Sequence, residues 1–459
     1  MKSMKSISQF KGKQVLVLGL GKSGTAAALL LQILGATVTV NDGNAEAQVS
    51  EKLSAAGIEV IVGEHPLTLL DGCDLLVKNP GIRYDNVIVA AAEEKKIPII
   101  TDVELAYLIS EAEIIGITGT NGKTTTATLM AEVLNVAGQP AKLAGNIGFP
   151  ASEVAMDATS ADTLVMELSS FQLMGIDAFH PHIAILTNLF SAHLDYHGSQ
   201  EAYEAAKWRI QENMTADDFL ILNFMQEKGR ALAGKTAATV VPIAREEVVD
   251  GAYSFDGKIY FRGDYVMDTA MLSLPGNHNL ENALAVIAVA KLRGVETTVI
   301  IDVLSQFAGV KHRLQYLGEL RGRKVYNDSK ATNSLATQKA LSGFDNAKTW
   351  LLAGGLDRGN PFDELSADVV GLKGLMIFGE TAPKLVQLAD SLAIPYFLTD
   401  NVATALTEVF PKTDEGDTIL LSPGAASWDQ YKTFEARGDL FIAAFDALKS
   451  DFTDKEEAE

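Results

Sequence analysis

EIIGITGTNGKTT, residues 113–125, decides the architecture. A β-branched run through Ile114, Ile115 and Ile117 ends in a turn containing Gly119 and Gly122. At Lys123-Thr124-Thr125 it passes into a helical pattern that closes near Gly138, with Pro140 beyond. A strand leading through a glycine-rich turn into a helix is the opening of a parallel strand–helix–strand unit. Glycines let backbone N–H groups face an anion, the helix N-terminus adds positive potential, Lys123 supplies charge and Thr124 a hydroxyl for magnesium. Gly116 lies one residue too far back for the GxxxxGK[ST] spacing. A plain glycine-rich turn, however, leaves Gly-Lys-Thr between strand and helix unexplained. Gly119, Thr120, Asn121, Gly122, Lys123, Thr124 and Thr125 therefore read as a cradle for a nucleoside triphosphate.

The same rhythm runs along all 459 residues: short Val-, Ile- and Leu-rich runs end in Gly, Asn or Asp and lead into longer amphipathic stretches. Such alternation predicts an α/β architecture of mainly parallel sheets covered by helices, with ligands at the carboxyl ends of strands. At roughly 150 residues per domain the length suggests about three. The first spans 1–101 and contains QVLVLGLGKSG, the second spans 102–309 around the 119–125 turn, and the third spans 310–459, opening at GVKHRLQY. A hydrophobic fraction of 47% with 21% charged residues is that of a globular chain, and only Ser450 to Glu459 reads as loose.

A net charge of -21 repels phosphates at a distance. It argues against a nucleic-acid or anionic-membrane surface and requires any phosphate to be held locally. The one cysteine, Cys73, excludes an internal disulfide and fits a reducing compartment, though a small buried hydrophobe is the plainer reading. The basic start MKSMKSISQFKGK runs straight into a strand pattern without an apolar leader, and the longest helical apolar run, Ala26 to Ala36, falls short of the roughly 20 residues of a membrane span. A cytoplasmic protein is expected.

Glu167 ends the strand pattern TLVME, where a carboxylate would meet a metal–nucleotide or simply be solvated. His193, Asp195 and His197 follow the strand HIAILTN as a site or as a polar loop. In SQEAYEAAKWRIQENM, capped by Ser199, positions Tyr203, Ala206, Lys207, Ile210 and Met214 share one arc of about 100°. Lys207 on that apolar face either snorkels to water or is a desolvated amine able to take up carbon dioxide as a carbamate. Gly19, Gly21 and Gly24 after a strand, with Asp42 ending the next, fit a nicotinamide dinucleotide or, equally, a UDP group. In the third domain Asp328, Lys330, Thr332, Asp357, Arg358 and Ser427 stand where strands turn into loops. An arginine beside hydroxyls suits a small dicarboxylate, although each residue alone is an ordinary polar loop position.

Taken together GITGTNGKTTT, AGNIG, MELSSFQL, HLDYHGS, YEAAKWRI, LPGNHNLENALA, GVKHRLQ, NDSKATN, LAGGLDRGN and LLSPGAASWDQYKTFEARG resemble the Mur ligase family, from about Gln14 to Asp439, and their order follows its D-glutamate-adding members. The resemblance implies a Rossmann-like N-terminal domain for a UDP substrate, a central P-loop ATPase domain and a Rossmann-like C-terminal domain. It implies an ATP-dependent ligase of peptidoglycan precursor synthesis, acting on UDP-N-acetylmuramoyl-L-alanine and D-glutamate as a monomer.

By the same resemblance Lys123 and Thr124 hold ATP phosphates and magnesium with Glu167. His193 and a carbamylated Lys207 support a second magnesium. Asn279, Asn282, Arg313 and Asp328 contact ATP. Lys330, Thr332, Arg358, Ser427 and Phe434 lie near D-glutamate and the reacting centre, and Lys22, Ser23, Asp42, Asn79, Gly81, Asn146 and Ser169 face substrate. The chain departs from the family at Ala192, where aspartate is common, and at Arg358, where some members carry lysine. It lacks the Asp-Asn-Pro-Arg signature of the diaminopimelate- and lysine-adding relatives. Rival readings are a nicotinamide oxidoreductase built on GLGKSG, a non-catalytic nucleotide sensor and a folate-polyglutamylating relative.

Overall fold

The computed structural model describes Lys5 and residues 7–359 and 361–456. The first sheet has five strands in the order β3-β2-β1-β4-β5. They are β1 (Gln14–Leu18), β2 (Thr37–Asp42), β3 (Glu59–Val62), β4 (Leu75–Lys78) and β5 (Ile99–Ile100), and all pair in parallel. The second sheet has nine strands in the order β14-β13-β12-β11-β10-β9-β6-β8-β7. These are β6 (Glu113–Thr118), β7 (Ala141–Gly145), β8 (Thr163–Glu167), β9 (Ile183–Leu186), β10 (Phe219–Asn223), β11 (Thr239–Arg245), β12 (Ala252–Phe255), β13 (Lys258–Phe261) and β14 (Asp264–Asp268). The third has six in the order β15-β16-β20-β17-β18-β19. Its strands are β15 (Gln315–Leu320), β16 (Arg323–Asn327), β17 (Thr349–Gly354), β18 (Gly374–Phe378), β19 (Tyr396–Leu398) and β20 (Thr418–Leu421), parallel apart from the β15–β16 pair.

By packing, the chain forms two compact units, Met1–Met271 with Glu281–Leu304, and Leu272–Leu280 with Ser305–Glu459. The first unit contains the first two sheets and the second contains the third. Their boundary falls within the helix Asn277–Leu292. The helices that carry site residues elsewhere are α1 (Lys22–Ile33), α2 (Lys123–Val136), α3 (Ser170–Leu173), α4 (Leu194–His197), α5 (Gln200–Trp208) and α6 (Phe434–Glu456). Among the described residues no helix is long and apolar enough to cross a membrane.

Strand β6, flanked by β8 and β9, is covered on both faces, as a parallel strand between helical layers must be. Ile115 and Ile117 are fully buried. Each such side chain contributes roughly 1.5–3 kcal/mol, so the strand that feeds the 119–125 turn is held by its core contacts rather than by the turn. The arc on α5 also stands: Tyr203, Ala206, Lys207, Ile210 and Met214 are all buried, and Ser199 Oγ caps the helix by accepting from Ala202 N–H at 3.1 Å.

Two expectations change. Strand–helix alternation does not continue throughout, because β12, β13 and β14 form an antiparallel meander. Its turns are Asp256-Gly257 and Arg262-Gly263, all four residues at positive φ, the geometry that matches the twist of a two-residue hairpin. The supposedly loose tail is helical to Glu456 as part of α6. The Phe452 ring packs tilted against Phe410 at 5.2 Å and anchors that last stretch, while 457–459 lie outside the described residues.

Candidate active site

Strand β6 enters the turn at Gly119, where φ is 141° and an added Cβ would lie 2.0 Å from Thr187 Oγ1. At Gly122, which precedes α2, φ is 84° and a Cβ would fall 2.3 Å from Asn282 Oδ1. Both positions require glycine. The turn is pinned by two residues the sequence reading missed. Thr120 N–H donates to the Asn188 carbonyl at 2.9 Å, Asn121 N–H donates to Asn188 Oδ1 at 2.9 Å, and Thr187 Oγ1 donates to the Asn121 carbonyl at 2.6 Å. Thr187 and Asn188 follow β9, the neighbour of β6, so a polar pair at that strand's carboxyl end was the available signal. Lys123 Nζ folds over the turn, donating to the carbonyls of Gly119 at 2.9 Å and Thr120 at 3.0 Å. Thr124 and Thr125 are buried in the first turn of α2, whose N-terminus has no side-chain cap. Uncapped N–H groups, the helix dipole and a lysine together favour an anion.

Glu167, at the end of β8, is 2% exposed. Its Oε1 accepts from Asn146 Nδ2 at 2.7 Å, and its buried Oε2 has no hydrogen-bond partner. An orphaned buried carboxylate oxygen is costly in a protein alone and is a fitting ligand for a hard cation. Asn146 therefore stands beside this carboxylate. Lys207 is 2% exposed with its Nζ 4.9 Å from the Tyr203 ring centre, which removes the snorkelling alternative. Burial pushes its pKa down to about 6; the charge of Lys123 acts in the same direction and Glu167 opposes. Burial thus favours the neutral, nucleophilic amine.

His193 adopts the left-handed φ of 54° at the head of α4, its ring 5.0 Å from Phe171 and 6.1 Å from Tyr203. Burial is the main cause lowering its pKa, against a raising contribution from Asp195. That favours the neutral ring, the metal-ligating form. Ser169 caps α3, its Oγ accepting from Gln172 N–H at 3.3 Å. His197 stacks on Phe171 and pairs with Ser170 Oγ at 2.9 Å, a packing role. Among the described residues no three His, Cys, Asp or Glu side chains form a metal cage. Of the candidate donors, the Thr124 hydroxyl and the Glu167 carboxylate are the hard oxygens that a magnesium ion, which usually keeps waters and phosphate oxygens in its shell, could take.

Five candidates gather at the carboxyl end of the first sheet. Asp42 braces the glycine turn, its Oδ2 accepting from Leu20 N–H at 2.8 Å and its Oδ1 from Asn44 N–H at 2.9 Å. Lys22 and Ser23 open α1 behind an uncapped N-terminus. The Asn79 side chain fills the space a Cβ at Gly19 or Gly21 would need, and Asn79 Oδ1 accepts from Gly81 N–H at 3.2 Å. Asn282, on the helix Asn277–Leu292, backs Gly122 and accepts from Thr126 Oγ1 at 3.3 Å.

In the second unit Asn279 Nδ2 donates to the Pro275 carbonyl at 2.7 Å. Asp328 is buried, accepting from Leu314 N–H at 3.1 Å and Ser422 Oγ at 2.9 Å, and Arg313 Nε is buried without a partner. A small open cleft is lined by Thr332, Asp357, Arg358 and Thr381 among others. The Arg358 guanidinium stacks 4.5 Å from the Trp428 ring, Ser427 Oγ is buried without a partner, and Lys330 lies exposed 5.3 Å from the Phe434 ring. Arg437, fully buried, was missed although it lies in the quoted FEARG. It donates to Ser329 Oγ, to the carbonyls of Ser329 and Gly354, and to that of Ala425, drawing three strand-end loops together.

Burial pushes the Asp328 pKa up to about 7, against its two hydrogen bonds and Arg313. Between pH 4 and 7 the folded chain keeps a proton that the unfolded chain has lost, so this group's contribution to stability falls as pH rises through that window. Asp328→Asn is expected to stabilise the protein at pH 8 by on the order of 1 kcal/mol or more. The gap in melting temperature over the parent should close by pH 4; a gap that stays constant from pH 4 to 8 would contradict this.

Three family models match in order: a Mur ligase MurD-like N-terminal domain at 13–101, a Mur ligase middle domain at 117–290 and a Mur ligase glutamate ligase domain at 312–424. A protein of Lactococcus lactis subsp. cremoris (strain SK11), named UDP-N-acetylmuramoylalanine--D-glutamate ligase, is 69% identical over 452 residues, 97% of this chain and 100% of that one. A protein of the same name from Streptococcus suis (strain 98HAH33) is 58% identical over 449 residues, again 97% and 100%. In fold, the crystal structure of UDP-N-acetylmuramate-alanine ligase from Thermotoga maritima aligns with a TM-score of 0.57 at 20% identity, covering 95% of this chain and 100% of that one. The N-terminal match leaves the nicotinamide reading of GLGKSG without support. With every sheet accounted for by one of these models and identity sustained end to end, the chain belongs to the Mur ligase family.

Proposed function

We propose that this protein joins the amine of D-glutamate to the L-alanyl carboxylate of UDP-N-acetylmuramoyl-L-alanine, converting ATP to ADP and phosphate, in the cytoplasmic synthesis of peptidoglycan precursor. The observation that carries this reading is the 69% identity, over 97% of the chain, to a relative bearing that activity in its name. In this reading residues 1–101 form a Rossmann-like domain for the UDP substrate, 102–309 a P-loop ATPase domain and 310–459 a Rossmann-like domain for the amino acid.

A carboxylate is a poor electrophile, so an amide forms near pH 7 only after activation. One carboxylate oxygen attacks the γ-phosphorus of ATP, ADP leaves, and an acyl phosphate results. The D-glutamate nitrogen then attacks the carbonyl carbon, the nitrogen loses a proton, and phosphate departs carrying a former carboxylate oxygen. Gly119–Thr125 cradle the triphosphate, and Lys123 offsets charge on the transferring group. Magnesium, when bound, neutralises phosphoryl charge; Thr124 and Glu167 would hold one ion, and His193 with carbamylated Lys207 the other. The orphaned Glu167 oxygen and the neutral, buried Lys207 support this.

Asn279, Asn282, Arg313 and Asp328 serve the nucleotide, and Lys22, Ser23, Asp42, Asn79 and Gly81 serve the UDP group, with Asn146 and Ser169 nearer the reacting centre. Lys330, Thr332, Arg358, Ser427 and Phe434 receive D-glutamate. The indole of Trp428 holds one face of the Arg358 guanidinium. Trp428→Ala is therefore expected to raise KM for D-glutamate roughly 3- to 10-fold with kcat and the KM for ATP little changed. An unchanged KM for D-glutamate in steady-state assays would argue against that role.

The function itself is tested by phosphate release with ATP and UDP-N-acetylmuramoyl-L-alanine across D- and L-amino acids. D-Glutamate alone is expected to give strong turnover. Equal release with L-glutamate, or with no amino acid, would overturn the reading.

A further inference from the structure

Lys78 is the last residue of β4 and only 1% exposed, yet among the described residues no carboxylate pairs with it. Its Nζ donates to the carbonyls of Ile82 at 2.7 Å, Pro80 at 3.2 Å and Asn79 at 3.4 Å, and stands 4.8 Å from the Tyr84 ring centre. Burying an ammonium without a counter-ion is costly, and a methionine of similar length would fill the space without that cost. What the charge does is turn three carbonyls of one loop inward. In a trans peptide the N–H points opposite to its carbonyl, so the N–H groups of Gly81 and Arg83 face away from the lysine. On that outer side Gly81 N–H meets Asn79 Oδ1, and Asn79 packs against Gly19 and Gly21 of the first-sheet turn.

The same loop is tied to the central sheet. Tyr196 Oη donates to the Ile82 carbonyl at 2.9 Å and lies 3.4 Å from Lys78 Nζ. Arg83 donates to the Asp195 carbonyl and lies over the Tyr196 ring, and Tyr84 Oη donates to the Met174 carbonyl at 3.1 Å. Tyr196 belongs to α4, the short helix that His193 opens, and packs 4.4 Å from Phe171 beside the His193 ring.

We propose that Lys78 and Tyr196 are positioning residues that lock the loop Asn79–Ile82 to the helix beginning at His193, so that a sugar nucleotide seated on the first sheet presents its carboxylate to the Lys123–Lys207 centre. This rests on the proposed function and extends it to two residues outside the family-based assignments.

The test uses the full-length enzyme with Tyr196→Phe, which removes one hydroxyl, and Lys78→Met, which removes the charge at similar volume. For Tyr196→Phe, the KM and the calorimetric Kd for UDP-N-acetylmuramoyl-L-alanine are expected to rise roughly 5- to 20-fold, with the KM for ATP and the melting temperature unchanged. Lys78→Met is expected to lose more, and the double variant no more than Lys78→Met alone, because both act through one loop. Unchanged Kd and KM in Tyr196→Phe, or equal shifts for ATP and the sugar nucleotide, would overturn the assignment. If Lys78→Met does not fold, Tyr196→Phe decides the matter alone. A parent enzyme that neither binds nor turns over the sugar nucleotide sinks the functional reading and this assignment with it; a parent that does, with variants that match it, sinks only the assignment.

Discussion

Lys207→Ala is expected to lower kcat on the order of 10³-fold or more, the scale of losing an electrostatic support at a transferring group, with part of the activity restored by a short free acid such as acetate or propionate. The argument starts from burial. At 2% exposure, burial and then the like charge of Lys123 push the Lys207 pKa down to about 6, which favours the free amine near neutral pH. In the proposed reading, such an amine adds to carbon dioxide with loss of a proton, and the resulting carbamate anion would match the charge of a metal held beside His193. Alanine leaves a cavity that a small carboxylate enters, replacing the anion without the chain. Lys207→Arg keeps a cation that forms no carbamate under these conditions, and is expected to stay inactive and unrescued. Full turnover of Lys207→Ala in acid-free buffer would remove the carbamate from the account.

Lys123→Ala is expected to lower kcat/KM for ATP by on the order of 10³-fold as well, and no added acid restores it. The ammonium donates to the carbonyls of Gly119 and Thr120 in its own turn, and its removal deletes the charge of the cradle. A second effect separates this variant from a general collapse. Lys123 is one of the two causes that lower the Lys207 pKa, so without it Lys207 holds its proton to higher pH and takes up carbon dioxide less readily. The carbamate signal in carbon-13 spectra of bicarbonate-loaded protein is expected to weaken at pH 7 and recover as pH rises. Near-parental kcat/KM for ATP in this variant would contradict the assignment of the turn.

What was legible in the sequence is what depends on neighbours in the chain. The strand, turn and helix from Glu113 to Val136 follow from β-branched residues, two glycines and a helix stop, all within one stretch. Helical spacing puts Lys207 on the apolar face of α5 without settling whether its amine reaches water, and Ser199 caps as its residue type suggests. The β12–β14 meander was written in Asp256-Gly257 and overlooked because strands on either side alternate with helices. The rest is set by sheet order. Thr187 and Asn188 brace the turn because β9 pairs with β6, Asn146 reaches Glu167 because β7 pairs with β8, and Arg437 reaches three loops from the first turns of α6. No spacing in the chain encodes those meetings. Lys78 reads as an ordinary strand end until its loop is seen to rest on Tyr196.

The central claim is that the γ-phosphoryl group of ATP passes to a carboxylate oxygen, and it is tested most directly by isotope transfer. UDP-N-acetylmuramoyl-L-alanine labelled with oxygen-18 in its alanyl carboxylate is turned over with ATP, magnesium and D-glutamate, and the released phosphate is weighed by mass spectrometry. The account predicts one labelled oxygen in each phosphate formed. Unlabelled phosphate at full product yield would contradict it, because the carboxylate oxygen would then have left by another route.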